Sequence, residues 1–413
     1  MRVIHTADWH LGQRFFQYDR AQEHQRFLDW LLDFMKTEGA DILIVSGDIF
    51  DTATPPNYAL KQYYDFLKEV RTTTCRHIII TGGNHDSPAV LNAPKEVLKE
   101  MDVHVIGCAE KNDEGEIDFE KEKIVLRDQN GEIEAVIAAV PFLRDRDLRF
   151  SVAGESYEDR AMAVKKGIES HYTELAEMVS DYSKSGIPVL ATGHLYAAGG
   201  EASDSERDIH IGNLGQVSAT AFPDLFDYVA LGHLHRPQRI GGSDRVRYSG
   251  SPIPLSFSER NDTKEIVILN IENKVVELER IKVPVSRQLL RFRGNIEQLE
   301  KNFKTLDDSA WELCAWAEAV VEYEKGVEAD PMARTRLLEA IEGKNIELLK
   351  ISNQLDLRND NEEIDSNESL DELSEMEIFK KRCVSKGYSD EKTEDLEKTF
   401  TELLEWMRVE ATV

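Results

Sequence analysis

Through the first 280 residues, short apolar runs alternate with segments whose apolar residues recur at helical spacing. The runs Arg2 to Thr6, Ile42 to Ser46, His77 to Thr81, Ile187 to Thr192 and Tyr228 to Leu231 read as buried strands. Between the first two, Phe27, Leu28, Leu31, Leu32, Phe34 and Met35 share one helical face, as do Ala161, Val164, Ile168, Leu175 and Val179 later on. Asp128-Gln-Asn-Gly131 divides Lys123 to Arg127 from Glu132 to Val140, which predicts a hairpin. Glu265 to Ile271 and Lys274 to Val283 predict another strand pair. The pattern is that of a mixed α/β layer fold with helices packed against sheets.

After Val283 the pattern changes. Ser286 to Arg293 is strand-like, Ile296 to Leu306 helical and Trp311 to Tyr323 strand-like again, which predicts a small βαβ unit. Asp330-Pro331 then opens a helix expected to carry Leu337, Leu338, Ile341, Leu348 and Leu355 along one face. Residues 356–377 hold ten acids and one base, Arg358, and read as a flexible acidic linker. In 378–413 helical periodicity returns at Leu396, Phe400, Leu403, Leu404 and Met407. So short an amphipathic element cannot bury its own face and needs a partner, either the parent domain or another chain. The expected organisation is therefore a main domain over 1–280, a smaller one over 281–355, the linker, and the helical segment.

The chain has 413 residues, with 50 Lys and Arg against 78 Asp and Glu, a formal net charge of −28. With 41% apolar residues it can bury a sizeable core, which excludes global disorder. No run approaches the roughly 18 apolar residues of a membrane span, and the N-terminus has no apolar leader. A soluble, cytoplasmic protein without disulfides is expected, its cysteines at 75, 108, 314 and 383 being scattered at no metal-like spacing and read as buried thiols. The acidity argues against a generic nucleic-acid coat, because phosphate affinity comes from Lys and Arg. A local site is compatible with it.

Five polar clusters follow the strands: Asp8-Trp9-His10, Gly47-Asp48-Ile49-Phe50-Asp51, Gly83-Asn84-His85-Asp86, Gly193-His194 and Gly232-His233-Leu234-His235. Ligand crevices of open α/β sheets lie beyond the carboxyl ends of the strands, so the five loops can converge on one site. Alone, Asp-x-His or Gly-Asp is an ordinary cap or turn. Five such clusters in this order, all after strands, are not. Their O and N donors suit divalent Mn, Fe, Zn or Mg. Two carboxylates and four imidazoles exceed the needs of one tetrahedral ion, whereas two ions sharing a bridging carboxylate would use them all. His24, His77, His104, His171 and His210 lack such surroundings and read as surface or packing groups, and His5 as a satisfied interior group. No phosphate-binding Gly-x-x-x-x-Gly-Lys-Ser/Thr loop is present, since Gly343-Lys344-Asn345 lacks both the upstream Gly and the hydroxyl.

These clusters resemble those of the calcineurin-like metallophosphoesterases. The opening Met-Arg-Val-Ile-His-Thr-Ala-Asp-Trp-His-Leu-Gly, the Ser-Gly-Asp-Ile-Phe-Asp-Thr run, Tyr228 to His235 and Tyr248-Ser-Gly-Ser-Pro-Ile-Pro-Leu-Ser-Phe-Ser-Glu259 resemble, more narrowly, the SbcD family of nuclease subunits. The resemblance implies a two-sheet metallophosphoesterase sandwich flanked by helices, a small α+β capping domain over 281–355, and partner-binding helices in 378–413. It implies two Mn2+ ions per chain, with Mg2+ as a possible substitute. Asp8, His10 and His235 would hold one ion, Asn84, His194 and His233 the other, and Asp48 would bridge them. His85 would protonate the leaving oxygen, with Asp86 orienting it; Asp51 would support Asp48 or its loop. The implied activity is DNA phosphodiester hydrolysis: 3′–5′ exonuclease on duplex ends, endonuclease on single strands and hairpins, in repair and recombination. An SbcC-type SMC ATPase and a homodimer within a heterotetramer are implied partners. A small-substrate phosphodiesterase or phosphatase of the same superfamily shares the clusters but needs no appendage, linker or terminal helix. A metal-free scaffold on the same fold would have lost ligands, and all seven are present. Two divalent ions against Asp8 and Asp48 would leave the site about +2, so an otherwise acidic chain would grip DNA through metal, local bases such as Arg144, Arg146 and Arg236, and a partner.

Overall fold

A computed structural model describes residues 1–148, 156–203, 205–206, 217–323 and 330–355, together with Leu396 and Phe400. Met1–Tyr323 and Glu328–Gln354 form one compact unit. The expected acidic linker lies outside the described residues, as does the C-terminal segment apart from Leu396 and Phe400, which are both helical.

The apolar runs become strands of two six-stranded sheets. In spatial order the first holds Val275–Lys282, Glu265–Glu272, Arg2–Thr6, Ile42–Ser46, His77–Thr81 and Val103–Ile106. The second holds Gln238–Ile240, Ser243–Tyr248, Tyr228–Gly232, Val189–His194, Ile133–Ala138 and Lys123–Arg127. Side chains alternate across each strand, so one face of each sheet meets the other sheet and the opposite face meets helices. Val3, Ile44, Ile79, Leu190, Tyr228 and Ala230 fill the layer between the sheets. Ile4, Leu43, Val45 and Ile80 face outward, against Phe27, Leu28, Leu31 and Met35 of helix Ala21–Glu38 and Tyr63, Phe66 and Leu67 of helix Asn57–Val70. Helix Tyr157–Lys184 covers the second sheet with Val164, Ile168, Tyr172, Leu175 and Val179. Each such apolar side chain contributes about 1.5–3 kcal/mol on burial. The result is a two-sheet α/β sandwich with helices on both outer faces.

His5 shows how completely the inter-sheet layer excludes water. Its Nε2 lies 3.2 Å from the Leu231 carbonyl oxygen, which can only accept, so Nε2 carries the proton and Nδ1 accepts from the Tyr228 hydroxyl at 3.0 Å. Burial pushes its pKa down to about 3. Because the folded value lies below the unfolded one, near 6.5, the unfolded chain takes up this proton first. The stability contribution is complete above pH 6.5 and falls as pH drops toward 3, by up to about 1.4 kcal/mol per pH unit. His5→Gln, which keeps one donor and one acceptor, is expected to flatten the pH dependence of urea midpoints between pH 7 and 4. An unchanged slope would show that His5 titrates alike in both states.

A third sheet, of three strands, joins Leu289–Gly294, Ala315–Tyr323 and Ile346–Leu355 in that order. The first two are parallel, with helix Ile296–Lys304 between them in the chain, and that helix opens with an Asn295–Gln298 capping box. The helix after Asp330-Pro331 spans only Ala333–Ala340. Leu348 and Leu355, expected on its face, lie instead in the strand Ile346–Leu355. Gly343, at a φ of +77°, turns the chain between them. An apolar residue every third or fourth position fits a helix, and Leu348 happens to keep that spacing while its neighbours pair with a sheet. Cys75, Cys108 and Cys314 are free thiols, half-buried rather than buried, and Cys383 lies outside the described residues.

Candidate metal centre

Parallel pairing decides where the polar clusters go. Arg2–Thr6 runs parallel to Ile42–Ser46, and that strand parallel to His77–Thr81, while Val189–His194 runs parallel to Tyr228–Gly232. Their carboxyl ends therefore line up within each sheet. Across the sandwich, His194 of the second sheet reaches Asn84 and Asp48 of the first.

The Asp48 carboxylate sits at the middle of the cluster. Its Oδ2 lies 3.5 Å from His10 Nε2 and 3.3 Å from His194 Nε2, while Oδ1 accepts the His85 backbone N–H at 2.9 Å. Asp8, His10 and His235 offer ligand atoms all within 4.8 Å of one another, and so do Asp8, Asp48 and His194. Asn84 Oδ1 is 2.9 Å from His194 Nε2. The His233 ring centroid is 5.4 Å from that of His194, and the His233 backbone N–H donates to Asp8 Oδ1 at 2.8 Å. All seven candidate ligands, Asp8, His10, Asp48, Asn84, His194, His233 and His235, thus meet in one place.

The backbone is strained to bring them there. Asp8, His10, Asp48 and His233 have φ of +52°, +47°, +51° and +104°, a region that L side chains rarely adopt and that costs about 1–3 kcal/mol per residue. The strand ends at Gly232, so a left-handed turn at His233, and not an extended alternation, aims the two imidazoles of Gly-His-Leu-His. Gly83 is equally constrained, since a Cβ there would stand 2.1 Å from Asp48 Oδ1.

The electrostatics fit a cation. Asp8 and Asp48 are both buried. Burial pushes the Asp8 carboxyl up to about 7, and the negative charge of Asp48 adds to the shift. Burial works on Asp48 in the same direction, but the imidazoles of His194, His10 and His85 hold it well below the usual carboxylate range. Burial opposes protonation of His194, yet Asp48 and Asp8 raise it to about 9. Without metal, protons are thus the counter-charge of two buried carboxylates. Asp8 Oδ2 and His10 Nε2 are buried without a hydrogen-bond partner. Buried lone pairs left open among O and N donors are what a divalent ion requires, so the residues present fit a metal centre.

Two supporting residues act otherwise than expected. Asp86 accepts backbone N–H groups from Gly83 at 2.9 Å, Phe50 at 2.9 Å and Ile49 at 3.1 Å, and so fastens the Asn84 loop to the Asp48 loop through their backbones. The His85 ring is held by the Asp51 carbonyl oxygen, 2.7 Å from Nδ1, and the Asp51 carboxylate lies 3.2 Å from His10 Nδ1. Asp51 therefore orients His85, a task expected of Asp86. Of the expected DNA-gripping bases, Arg236 is tied to Asp262 at 3.0 Å and Arg146 is exposed, 3.8 Å from Asp147. Sequence reading missed Glu259 and Lys264, a fully buried ion pair at 2.6 Å beside His235. Neither follows a strand-end glycine, and only the run from Tyr248 to Glu259 marked the region.

Comparison with known proteins agrees with this geometry. The calcineurin-like phosphoesterase model matches residues 1–237, and the Type 5 capsule protein repressor C-terminal domain model matches residues 285–386. The chain is 34% identical over 412 residues to the SbcD component of the nuclease SbcCD from Escherichia coli K12, covering 98% of each. It is 39% identical to the corresponding SbcCD component from Rhodobacter capsulatus over 66% of each chain. For that of Bacillus subtilis the identity is 34%, over 65% of this chain and 66% of the relative.

Proposed function

This chain belongs to the calcineurin-like phosphoesterase family and, within it, to the SbcD nuclease subunits, metal-dependent hydrolases; from that premise we propose that it cleaves DNA with two Mn2+ ions at the centre described above. The observation that carries the reading is the place of Asp48 Oδ2, between imidazole nitrogens of two different sheets and beside the open lone pairs of Asp8 and His10. Asp8, His10 and His235 would hold one ion and Asn84, His194 and His233 the other, with Asp48 shared between them. When bound, such a pair supplies positive charge that polarises the scissile phosphate and acidifies the attacking water.

The chain's own residues do the rest. His85 donates Nδ1–H to the Asp51 carbonyl, so in its imidazolium form the second proton sits on Nε2. The Nε2 proton passes to the leaving oxygen, and the ring is left as the neutral Nδ1–H tautomer. Asp86 locks the loops that carry Asp48 and Asn84. DNA ends and hairpins are the substrates, with 3′–5′ polarity on duplex. Residues 281–355 act as a capping domain, 356–377 as the linker, and 378–413 as the site for an SbcC-type SMC ATPase in the cytoplasm, two SbcD chains entering each heterotetramer. The relatives' shared name, that of one component of a nuclease complex, supports the partner. No helix among the described residues is long and apolar enough to cross a membrane.

The test is cleavage of duplex and hairpin DNA with Mn2+ or Mg2+, with and without a co-expressed SMC-type ATPase. Cleavage that a chelator abolishes is expected, with stimulation by the ATPase that is lost when residues 378–413 are removed. Hydrolysis of model phosphodiesters without cleavage of any DNA would favour the small-substrate reading instead.

A further inference from the structure

We propose that Glu259, anchored by Lys264 and acting through the Ser205 hydroxyl, is a positioning residue that sets which nitrogen of His235 is free to bind a metal ion. The inference rests on the reading of His235 as a ligand. The Ser205 Oγ lies 2.6 Å from His235 Nδ1 and 2.5 Å from Glu259 Oε1. A hydroxyl has one proton and a carboxylate can only accept, so Ser205 donates to Glu259 and must accept from Nδ1. Nδ1 then carries the ring proton, and Nε2 keeps its lone pair. Fixing the tautomer of a ligating imidazole from its far nitrogen is a general way to raise metal affinity.

Two further contacts reach the same residue. Lys264 Nζ donates to Glu259 Oε2 at 2.6 Å and also to the His235 carbonyl at 2.8 Å. The Glu206 carboxylate accepts the His235 backbone N–H at 2.9 Å. His235 is thus held at its N–H, its C=O and its far ring nitrogen. Glu259 is 0% exposed and Lys264 3%. A buried ion pair is costly, and apolar residues of similar volume would pack as well. Lys264 reaches His235 at its carbonyl, and Glu259 reaches it through Ser205. Glu259 Oε2 also accepts the Leu255 N–H at 3.1 Å, and Lys264 also donates to Ser251 at 2.9 Å. The link to the imidazole is what a packing device would not need. In Glu259→Gln the new amide can donate to Ser205. The hydroxyl then donates to Nδ1, and the ring proton moves to Nε2, the nitrogen that must be free.

The experiment titrates Mn2+ into the full chain, counting bound ions by electron paramagnetic resonance, for the parent, Ser205→Ala, Ser205→Thr and Glu259→Gln. The parent should bind two ions. Ser205→Ala should weaken one of them about 10- to 100-fold with unchanged metal-free melting, and Ser205→Thr, which keeps the hydroxyl, should recover it. Nitrogen-15 shifts of the His235 ring should report the Nδ1–H form in the metal-free parent and a tautomer mixture in Ser205→Ala. Should Glu259→Gln fail to fold, the Ser205 pair decides alone. Two ions bound with parent affinity in Ser205→Ala, or equal weakening in Ser205→Ala and Ser205→Thr, would overturn the role given to Glu259 and leave the two-ion reading standing. A parent that takes up no Mn2+ would overturn that reading itself, and this inference with it.

Discussion

Asp48→Asn is expected to lower DNA cleavage about 10²- to 10³-fold, the loss that follows when one group serving transition-state charge is removed. The substitution keeps the shape of the side chain. The amide oxygen can still accept the His85 backbone N–H that Asp48 Oδ1 accepts at 2.9 Å, so the loop has no reason to move. What disappears is the charge on Oδ2, which faces His10 at 3.5 Å and His194 at 3.3 Å. With no anion shared between the two halves, both ions should bind weakly, so Mn2+ stoichiometry and rate should fall together. Removing one of two buried carboxylates also relieves the repulsion that helps push Asp8 up, and metal-free melting should survive the change. A variant that binds two ions as the parent does would remove Asp48 from the bridging position.

His85→Ala should separate these two effects. His85 is held to the Asp51 carbonyl, and its side chain is not needed for either set of three proposed ligands. Two Mn2+ ions should bind with parent affinity while DNA cleavage falls about 10²- to 10⁴-fold, the range of general acid assistance. A substrate whose leaving group needs no proton, such as a p-nitrophenyl phosphodiester, should be cleaved by His85→Ala at nearly the parent rate. Full nuclease activity in the variant would sink the assignment, and equal loss on both substrates would make His85 a group that binds phosphate and not one that protonates the leaving oxygen.

Much of the site could be read from the chain because each cluster sits within a few residues of the strand that aims it. Gly-Asn-His-Asp behind Ile78-Ile79-Ile80 and Gly-His-Leu-His behind Val229-Ala230-Leu231 carry both the chemistry and its position in one short segment. Groups that act across the fold carried no such sign. Asp51 was visible as a residue, yet its service to His85 runs through its backbone carbonyl, which every residue possesses. Glu259 and Ser205 are separated by 54 positions, and only packing brings them to one imidazole. Leu348 misled for the opposite reason, since local periodicity matched a helix while pairing with a neighbouring strand decided the outcome.

The chain alone carried the layered α/β class in its short-range alternation of apolar and polar positions, and the five loops with the residue types of a metal centre in the short segments behind the strands. The family was legible as a resemblance of those segments. The chain also placed His5 in the interior. The tertiary structure decided which atoms meet: the midpoint position of Asp48, the exchange of duties between Asp51 and Asp86, the left-handed turn at His233, and the buried Glu259–Lys264 pair behind His235. Hydrogen bonds and ion pairs act over about 3 Å whatever the separation along the chain. Their partners are therefore set by how the sheets and loops pack, which no local pattern encodes.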